Sequence, residues 1–293
     1  MVVDMKGAVV TNGFLPRGKH DEPAEMLIRA ADAMDIGLTR LMNTDLTVPL
    51  GDGDALARSL GDVDFVVFWD KDVRLAADIE LCGHRVFNPS DCIRVCDDKC
   101  LTHLALLSAG VPTPRTVSCP MTFDNIGYGD LSFLEGAVDA LGFPMVVKDC
   151  FGSFGQQVHL VHGMDELASL FTDARPRILQ EYIECGATDI RVEVVGGRAV
   201  EAVERRGPPG DFRSNATIGG TMHRSVPTDE ESELAVSAAE AVGADFAGVD
   251  IIGTSDGPVV CEVNSNAHIR NMLDCTGHDV SVDILEHIIR TVG

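Results

Sequence analysis

Apolar strand-like runs alternate with helix-like segments through the first ninety residues of the chain. Residues 7–14, 38–46 and 63–70 have the composition of strands, and residues 22–37 and 72–82 have that of helices. Strands separated by helices predict a parallel sheet covered by helices. The chain therefore begins with an α/β domain.

A long helix is predicted next, opened by Ser90 and ended by Gly110. Cys92, Cys96 and Cys100 would then share one helix face. The outer two thiols would be about 12 Å apart along the axis, whereas a zinc–sulfur bond is about 2.3 Å long. The pattern favours a buried helix face over a metal site.

Strand-like segments dominate the rest of the chain, with a hairpin turned by Gly196-Gly197 and helices over 229–243 and 279–292. A chain of 293 residues is long for one core. We expect three parts, comprising residues 1–98, 99–179 and 180–293.

The charge balance limits the partners of the protein. A net charge of −23 disfavours binding to nucleic acid or to an anionic membrane. No apolar run approaches the roughly 20 residues of a membrane helix. Nine cysteines without CxxC spacing fit free thiols, so a cytoplasmic location is expected.

The segments FAGVDII and VVCEV flank the turn-rich sequence GTSDGP, which predicts an antiparallel hairpin. A turn centred on Asp256 would place Asp250 opposite Glu262, with Asn264 on the same face. Two carboxylates and a carboxamide suit Mg²⁺. The alternative is a pair of solvated acids on an exposed sheet face.

A second candidate site follows an apolar strand. Lys148 ends that strand and precedes Gly152, Ser153 and Gly155, whose backbone N–H groups could surround an anion. A hairpin turn with a surface lysine is the plain alternative, and Lys99 could equally be a solvated helix residue. Six arginines between residues 191 and 224 would concentrate positive potential for phosphate or carboxylate.

Taken in order, these pieces resemble the ATP-grasp superfamily, and specifically the RimK-type carboxylate–amine (α-L-glutamate) ligases. The resemblance rests on CDDKCLTHLALLSAGVPTP, FPMVVK, GSFGQQV, LQEYI, TDIRVEVVGGRAVEAVERR, GDFRSN, IGG, AGVDII and VVCEVNSN. It covers about residues 90–290. It implies a three-part fold in which an N-terminal parallel α/β domain precedes two domains that clasp ATP.

The resemblance also implies a role for each matching residue. Lys99 and Lys148 would contact the ATP phosphates beneath the loop at 152–157, and Asp189 would hold the ribose. Arg213 and Asn215 would reach the phosphates or the reacting carboxylate, and Arg213 and Asn264 would act in catalysis. Two Mg²⁺ ions, or Mn²⁺ in their place, would be held by Asp250, Glu262 and Asn264. Adenine would bind the linker formed by Gln180, Glu181, Tyr182 and Ile183.

The implied reaction is ATP-dependent amide formation through an acylphosphate. The substrates would be a small molecule, an amino acid or a peptide, and a homo-oligomer is possible in this family. The segment NSNAHIRN departs from the glutamate-ligase pattern near the acceptor site, so the transferred amino acid stays open. A nucleotide-binding regulatory protein without ligase chemistry and an ATP-grasp kinase are the alternatives.

Overall fold

The computed structural model describes residues 5–152, 155, 157–214 and 219–293. The first part is a four-stranded sheet in the order β2-β1-β3-β4 with every pair parallel, as predicted. Residue 37 starts a strand rather than ending a helix, and the helix at 53–60 was not expected. The elements are β1 (Lys6–Thr11), α1 (Glu22–Ala33), β2 (Gly37–Met42), a 3₁₀ helix (Asn43–Leu46), α2 (Gly53–Leu60), β3 (Phe65–Trp69), α3 (Val73–Leu81) and β4 (Val86–Phe87).

The single helix expected from residue 90 to residue 110 is wrong. The structure has two helices, α4 (Ser90–Asp97) and α5 (Lys99–Ser108), because Asp98 adopts an extended conformation between them. The Asp98 carboxylate accepts hydrogen bonds from the backbone N–H groups of Cys100 and Leu101, which caps the second helix. Cys92 and Cys96 are buried together in α4, but Cys100 lies in α5.

The middle part is an antiparallel sheet in the order β5-β8-β6-β7. One face packs on helices through a core that includes Leu134, Met145, Leu167 and Leu179. The neighbouring strands β6 and β8 bring the end of the Lys148 strand beside Gln180. The elements are β5 (Thr116–Ser118), α6 (Phe133–Leu141), β6 (Met145–Asp149), β7 (Val158–Val161), α7 (Met164–Ser169) and β8 (Arg177–Glu181).

The last part is a five-stranded antiparallel sheet in the order β11-β10-β9-β12-β13. Gly196 and Gly197 both have positive φ and turn the predicted hairpin between its first two strands. The elements are β9 (Thr188–Val195), β10 (Arg198–Arg206), β11 (Thr221–Arg224), α8 (Asp229–Ala241), β12 (Phe246–Thr254), β13 (Gly257–Asn264), α9 (Ile269–Thr276) and α10 (Val280–Val292).

The two faces of this sheet have different roles. One face packs on α8 through Val192, Ala202 and Val249. The opposite face, which we call the site face, is apolar where Val195 and Phe246 meet α9 and α10. Farther along the same strands it becomes charged, because the inward positions then carry Asp, Glu and Arg. The predicted site residues that belong to this sheet, which include Asp189, Asp250 and Glu262, lie in this charged half.

Asn88 connects the first part of the chain to this sheet. Its amide nitrogen donates to the carbonyl oxygens of Phe246 and Ser265, at 2.8 and 2.9 Å, and its amide oxygen accepts from the backbone of Asp245 and Phe246. The side chain is fully buried. Asn88 therefore fixes both the start of β12 and the segment that follows β13.

Among the helices of the described chain, none is both long enough and apolar enough to cross a lipid bilayer.

Candidate functional site

A cleft of about 770 Å³ lies where the three sheets meet. Every predicted site residue within the described part of the chain lines it; Ser153 and Asn215 lie outside the described residues. The lining includes Lys99, Lys148, Gly152, Gly155, Gln180, Glu181, Tyr182, Ile183, Asp189, Arg213, Asp250, Glu262 and Asn264.

The hairpin of β12 and β13 pairs Asp250 with Glu262, which confirms the predicted register at this position. The register shifts once along the hairpin, because Ile251 pairs with Val260 and leaves Cys261 as an extra residue in β13. Cys261 and Glu262 both line the cleft as a result. The bulge therefore brings both carboxylates to the site face.

Asp250 is held by two arginines. Arg191 donates to both of its oxygens, at 2.7 and 2.8 Å, and Arg205 lies 2.9 Å from one of them. Burial by itself would raise the pKa of Asp250, but the two guanidinium groups hold it below its usual value. The Asp250 carboxylate therefore neutralises positive charge of Arg191 and Arg205, which lie beside it.

Asp189 belongs to the same network. Arg205 donates to Asp189 through Nε at 2.7 Å, and the Ser214 hydroxyl donates to it as well. The carboxylate that the resemblance assigns to the ribose is thus engaged within the protein. It faces the cleft but is only 8% exposed.

Lys148 is positioned by the sheet beneath it. Its ammonium donates to the side-chain oxygen of Gln180 at 2.6 Å and lies 3.5 Å from the thiol of Cys261. The Gln180 amide nitrogen in turn contacts Thr116 and His103. Burial, followed by the charge of Lys148, lowers the pKa of His103 to about 3, so this histidine is neutral. The lysine points into the cleft because this row of side chains supports it.

Lys99 bridges two parts of the site. As the first residue of α5, it projects to the carbonyl oxygen of Gly152 at 3.2 Å and to Glu262 at 3.5 Å. Its side chain is 14% exposed. One ammonium group therefore links the glycine loop to the metal-binding candidate.

Arg213 approaches the glycine loop from the other side of the cleft. Its guanidinium donates to the Gly155 carbonyl at 2.6 Å and forms an ion pair with Asp211. Phe212 beside it packs edge-on against Tyr182, with ring centroids 6.3 Å apart. The segment carrying Arg213 thus closes over the loop and the linker.

Sequence reasoning missed Glu193 on the site face, and it recognised Arg191 and Arg205 only as members of the arginine cluster between residues 191 and 224. A more specific signal was present in β9, where Asp189, Arg191 and Glu193 alternate with apolar residues. Alternation with a period of two marks one face of a strand.

A family model described as "RimK-like ATP-grasp domain" matches residues 96–288 of this chain. The chain belongs to the RimK-like ATP-grasp family. The match starts before α5 and ends within α10, so it contains the whole charged half of the site face.

Individual relatives agree with this membership. A probable α-L-glutamate ligase of Stenotrophomonas maltophilia (strain K279a) is 34% identical over 221 residues, covering 71% of this chain and 70% of the relative. The N-acetylaspartylglutamate synthase A of Homo sapiens is 33% identical over 202 residues, and the match covers 67% of this chain and 50% of that relative.

The fold is also similar to that of solved ATP-grasp proteins. A RimK-domain ATP-grasp protein from Sphaerobacter thermophilus DSM 20745 matches with a TM-score of 0.71 and 20% identity, over 97% of this chain and 99% of the neighbour. These comparisons confirm the expected α/β ATP-grasp fold. They also confirm the expected enzyme class, an ATP-dependent carboxylate–amine ligase.

Solved structures of the ATP-grasp ligase PsnB contain Mg and ADP. The question for this chain is whether the oxygen atoms of the site fit that ion. Among the described residues, no three acidic, histidine or cysteine side chains form a metal-binding group. Glu262 is partly exposed to the cleft. Asn264, two residues farther on, uses only its amide nitrogen, which donates weakly to Gly248. One carboxylate and one carboxamide oxygen fit Mg²⁺, which commonly completes its shell with phosphate and water.

Proposed function

We propose that this cleft activates a substrate carboxylate with MgATP and joins it to the amino group of an amino acid, with glutamate as the first candidate. The observation that carries this proposal is the charge of the cleft. In a chain of net charge −23, the cleft is lined by as many lysines and arginines as acidic residues, seven of each, and its cations include Lys99, Lys148 and Arg213. Such a lining suits a nucleotide and an acid.

The nucleotide would occupy the end of the cleft between the middle sheet and the site face. Lys99 and Lys148 would contact its phosphates. Adenine would bind the backbone of Tyr182 and Ile183, which follow β8 and whose N–H and C=O groups have no partner among the described residues. Gln180 and Glu181 would form the start of this linker. The Gln180 side chain is already held by Lys148, so its part would be to position that lysine.

Magnesium would be held by Glu262 and Asn264. When bound, the ion would supply positive charge that offsets the negative charge developing during phosphoryl transfer. Asp250 would join this set only by releasing an oxygen from Arg191 or Arg205. We infer that its main part is to position those two arginines, and that one or two ions bind depending on that exchange.

The protein's own side chains would act by positioning and by charge. The arginines on the site face would align the carboxylate, whose oxygen attacks the γ-phosphorus while the bond to ADP breaks. The amine would then attack the acyl carbon. The neutral amine forms the C–N bond, the C–O bond to phosphate breaks with its electron pair leaving on phosphate, and the nitrogen gives its surplus proton to water.

The three parts predicted from the sequence, residues 1–98, 99–179 and 180–293, would act as separate units in this reaction. The first and last would enclose the acceptor, and the last two would clasp the nucleotide. A substrate with several carboxyl groups fits the relatives, whose names specify glutamate and N-acetylaspartylglutamate.

The proposal is tested by incubating the protein with ATP, Mg²⁺, L-glutamate and one acid at a time, beginning with N-acetyl-L-aspartate. ADP, phosphate and an amide product are expected in equal amounts. Hydroxylamine added in place of glutamate should give a hydroxamate of the same acid. A stable phosphorylated acid without amide would indicate a kinase, and nucleotide binding without ADP release across the acid and amine panel would indicate a regulatory protein.

A further inference from the structure

Glu193 is a buried carboxylate that faces the cleft without a partner. It is 3% exposed and lies on the site face of β9. No described residue donates a hydrogen bond to it or lies within ion-pair distance. Buried charges in proteins are normally paired, so this arrangement requires a reason.

The nearest positive charges are already used. Arg191, two residues earlier on the same strand, gives its guanidinium to Asp250. On β10, Glu201 stands directly opposite Glu193, and its carboxylate accepts from Arg224 and from the backbone N–H of Ala202. Two glutamates thus face each other across neighbouring strands, and the structure supplies a cation to one of them.

The other neighbouring strand carries no side chain beside the carboxylate. Gly248 stands opposite Glu193 on β12. A Cβ at Gly248 would come within 2.7 Å of the Ala267 side chain and 3.1 Å of Glu193 Oε1. Glycine therefore allows the segment after β13 to approach Glu193. Ala267 and Met272 line the same end of the cleft as Glu193.

The electrostatic surroundings favour a cationic ligand. Burial, opposed by Arg191 and Arg205 and reinforced by Asp250, raises the pKa of Glu193 to about 7. Glu201 adds a second carboxylate opposite it. A bound cation would remove the cost of ionising this group.

The position also fits the geometry of the reaction. Glu193, Gly248 and Asn264 occupy one row across three adjacent strands. The row spans two strand spacings, about 10 Å from backbone to backbone, and the side chains of Glu193 and Asn264 both reach Gly248 between them. Glu193 thus lies on the same face and in the same row as one of the residues proposed to hold magnesium.

We propose that Glu193 binds the ammonium group of the amine substrate; once this group has released one proton to water, the neutral nitrogen lies beside the activated carboxylate as the nucleophile. This inference rests on the proposed function and assigns one residue to its second substrate. A metal ion is a poorer occupant, because Mg²⁺ requires several oxygen ligands and the neighbouring carboxylates of Asp250 and Glu201 are held by arginines.

The test compares the wild-type protein with Glu193→Gln, Glu193→Asp and the control Glu204→Gln. Glu204 lies on β10, pairs with Arg206 and does not line the cleft. Three readouts are needed: the KM for L-glutamate with N-acetyl-L-aspartate as the acid, the KM for ATP, and hydroxamate formation with hydroxylamine. Hydroxylamine is uncharged at neutral pH and reports acid activation alone.

Glu193→Gln should raise the KM for glutamate by at least about tenfold, the size of a charge-assisted contact. The KM for ATP and hydroxamate formation should stay within twofold of wild type. Glu193→Asp, which keeps the charge, should restore part of the affinity, and Glu204→Gln should match wild type. An equal KM for glutamate in all four proteins would overturn the assignment. It would also be overturned if Glu193→Gln lost hydroxamate formation to the same extent as it lost glutamate affinity, or if its Mg²⁺ requirement changed.

A binding measurement keeps the two proposals separable. L-glutamate and glutarate, which differ by the amino group, are compared as ligands of the protein saturated with Mg²⁺ and a non-hydrolysable ATP analogue. Wild type should prefer glutamate and Glu193→Gln should not. If wild type shows no preference, the inference about Glu193 fails; if wild type forms neither amide nor hydroxamate, the proposed function fails.

Discussion

Asp250 and Glu193 lie on neighbouring strands of one sheet face, and both are almost completely buried. They differ in their ion-pair partners and in the direction of their pKa shifts. Asp250 is bound by two guanidinium groups, which lower its pKa. No described residue forms a hydrogen bond or an ion pair with Glu193, and burial raises its pKa. The difference separates a carboxylate that the fold has neutralised from one that is available to a ligand.

The largest effect is expected for Asp250→Asn. Removing this carboxylate leaves Arg191 and Arg205 with a buried positive charge in excess, which should lower the free energy of unfolding by about 3 kcal/mol. Denaturant titration measures it, and Asp256→Asn in the exposed hairpin turn is the control. Equal transition midpoints would show that Asp250 does not balance the arginines.

Glu193→Gln should act on stability in the opposite direction. Because the folded pKa of Glu193 lies above the unfolded value, its contribution to stability is complete below about pH 4.3 and is lost as the pH rises through about 7. The glutamine variant lacks this loss. It should be more stable than wild type by up to about 3 kcal/mol at pH 8 and nearly equal to it at pH 4.5.

Thermal unfolding of both proteins across this pH range measures the difference. Glu204→Gln, on the adjacent strand, should show no such growth with pH. A constant difference between Glu193→Gln and wild type from pH 4.5 to pH 8 would contradict the raised pKa.

Glu262→Gln should affect turnover while sparing the fold. Its carboxylate is partly exposed, and its ion pair with Lys99 is long at 3.5 Å. Stability should therefore change by no more than about 0.5 kcal/mol. Turnover at saturating Mg²⁺ should fall at least about a hundredfold, as for other groups that stabilise charge in the transition state. Wild-type turnover in this variant would remove Glu262 from the proposed metal site.

The smallest effect is expected for Lys148→Ala, which removes one contact proposed for the ATP phosphates. Nucleotide affinity should weaken by about 1.5 kcal/mol, or about tenfold. Calorimetric titration of ATP measures this loss. Lys71→Ala, which removes an ammonium group that is paired with Asp97, is the control and should bind ATP as wild type does. Equal affinities for all three proteins would argue against a phosphate contact.

Motif order in the sequence was enough to predict the fold and thirteen of the residues that line the cleft. It predicted the pairing of Asp250 with Glu262 from a turn centred on Asp256. The residues next to the turn pair one position differently, with Thr254 opposite Gly257, and the bulge at Cys261 then restores the expected pair. A bulge depends on local backbone hydrogen bonding, which residue spacing does not reveal.

The contacts on the site face were less predictable for a different reason. Arg191 on β9 and Arg205 on β10 both pair with Asp250 on β12, so these contacts depend on the register of the whole sheet. The sequence indicated a cluster of arginines but not the acidic residues that they would meet, nor that Glu193 would be left without one of them. The break at Asp98 was also missed, since aspartate is tolerated within a helix and caps one only when the backbone leaves the helical conformation.

The extra residue in β13 has no partner in the strand ladder. Residues pair regularly on both sides of Cys261, so the pairing of β12 with β13 does not depend on the Cys261 side chain. Its thiol nevertheless points at the ammonium of Lys148. The cleft surface beside Lys148 can therefore change in size or polarity at position 261, while the strand pairing that aligns Asp250 with Glu262 is unchanged.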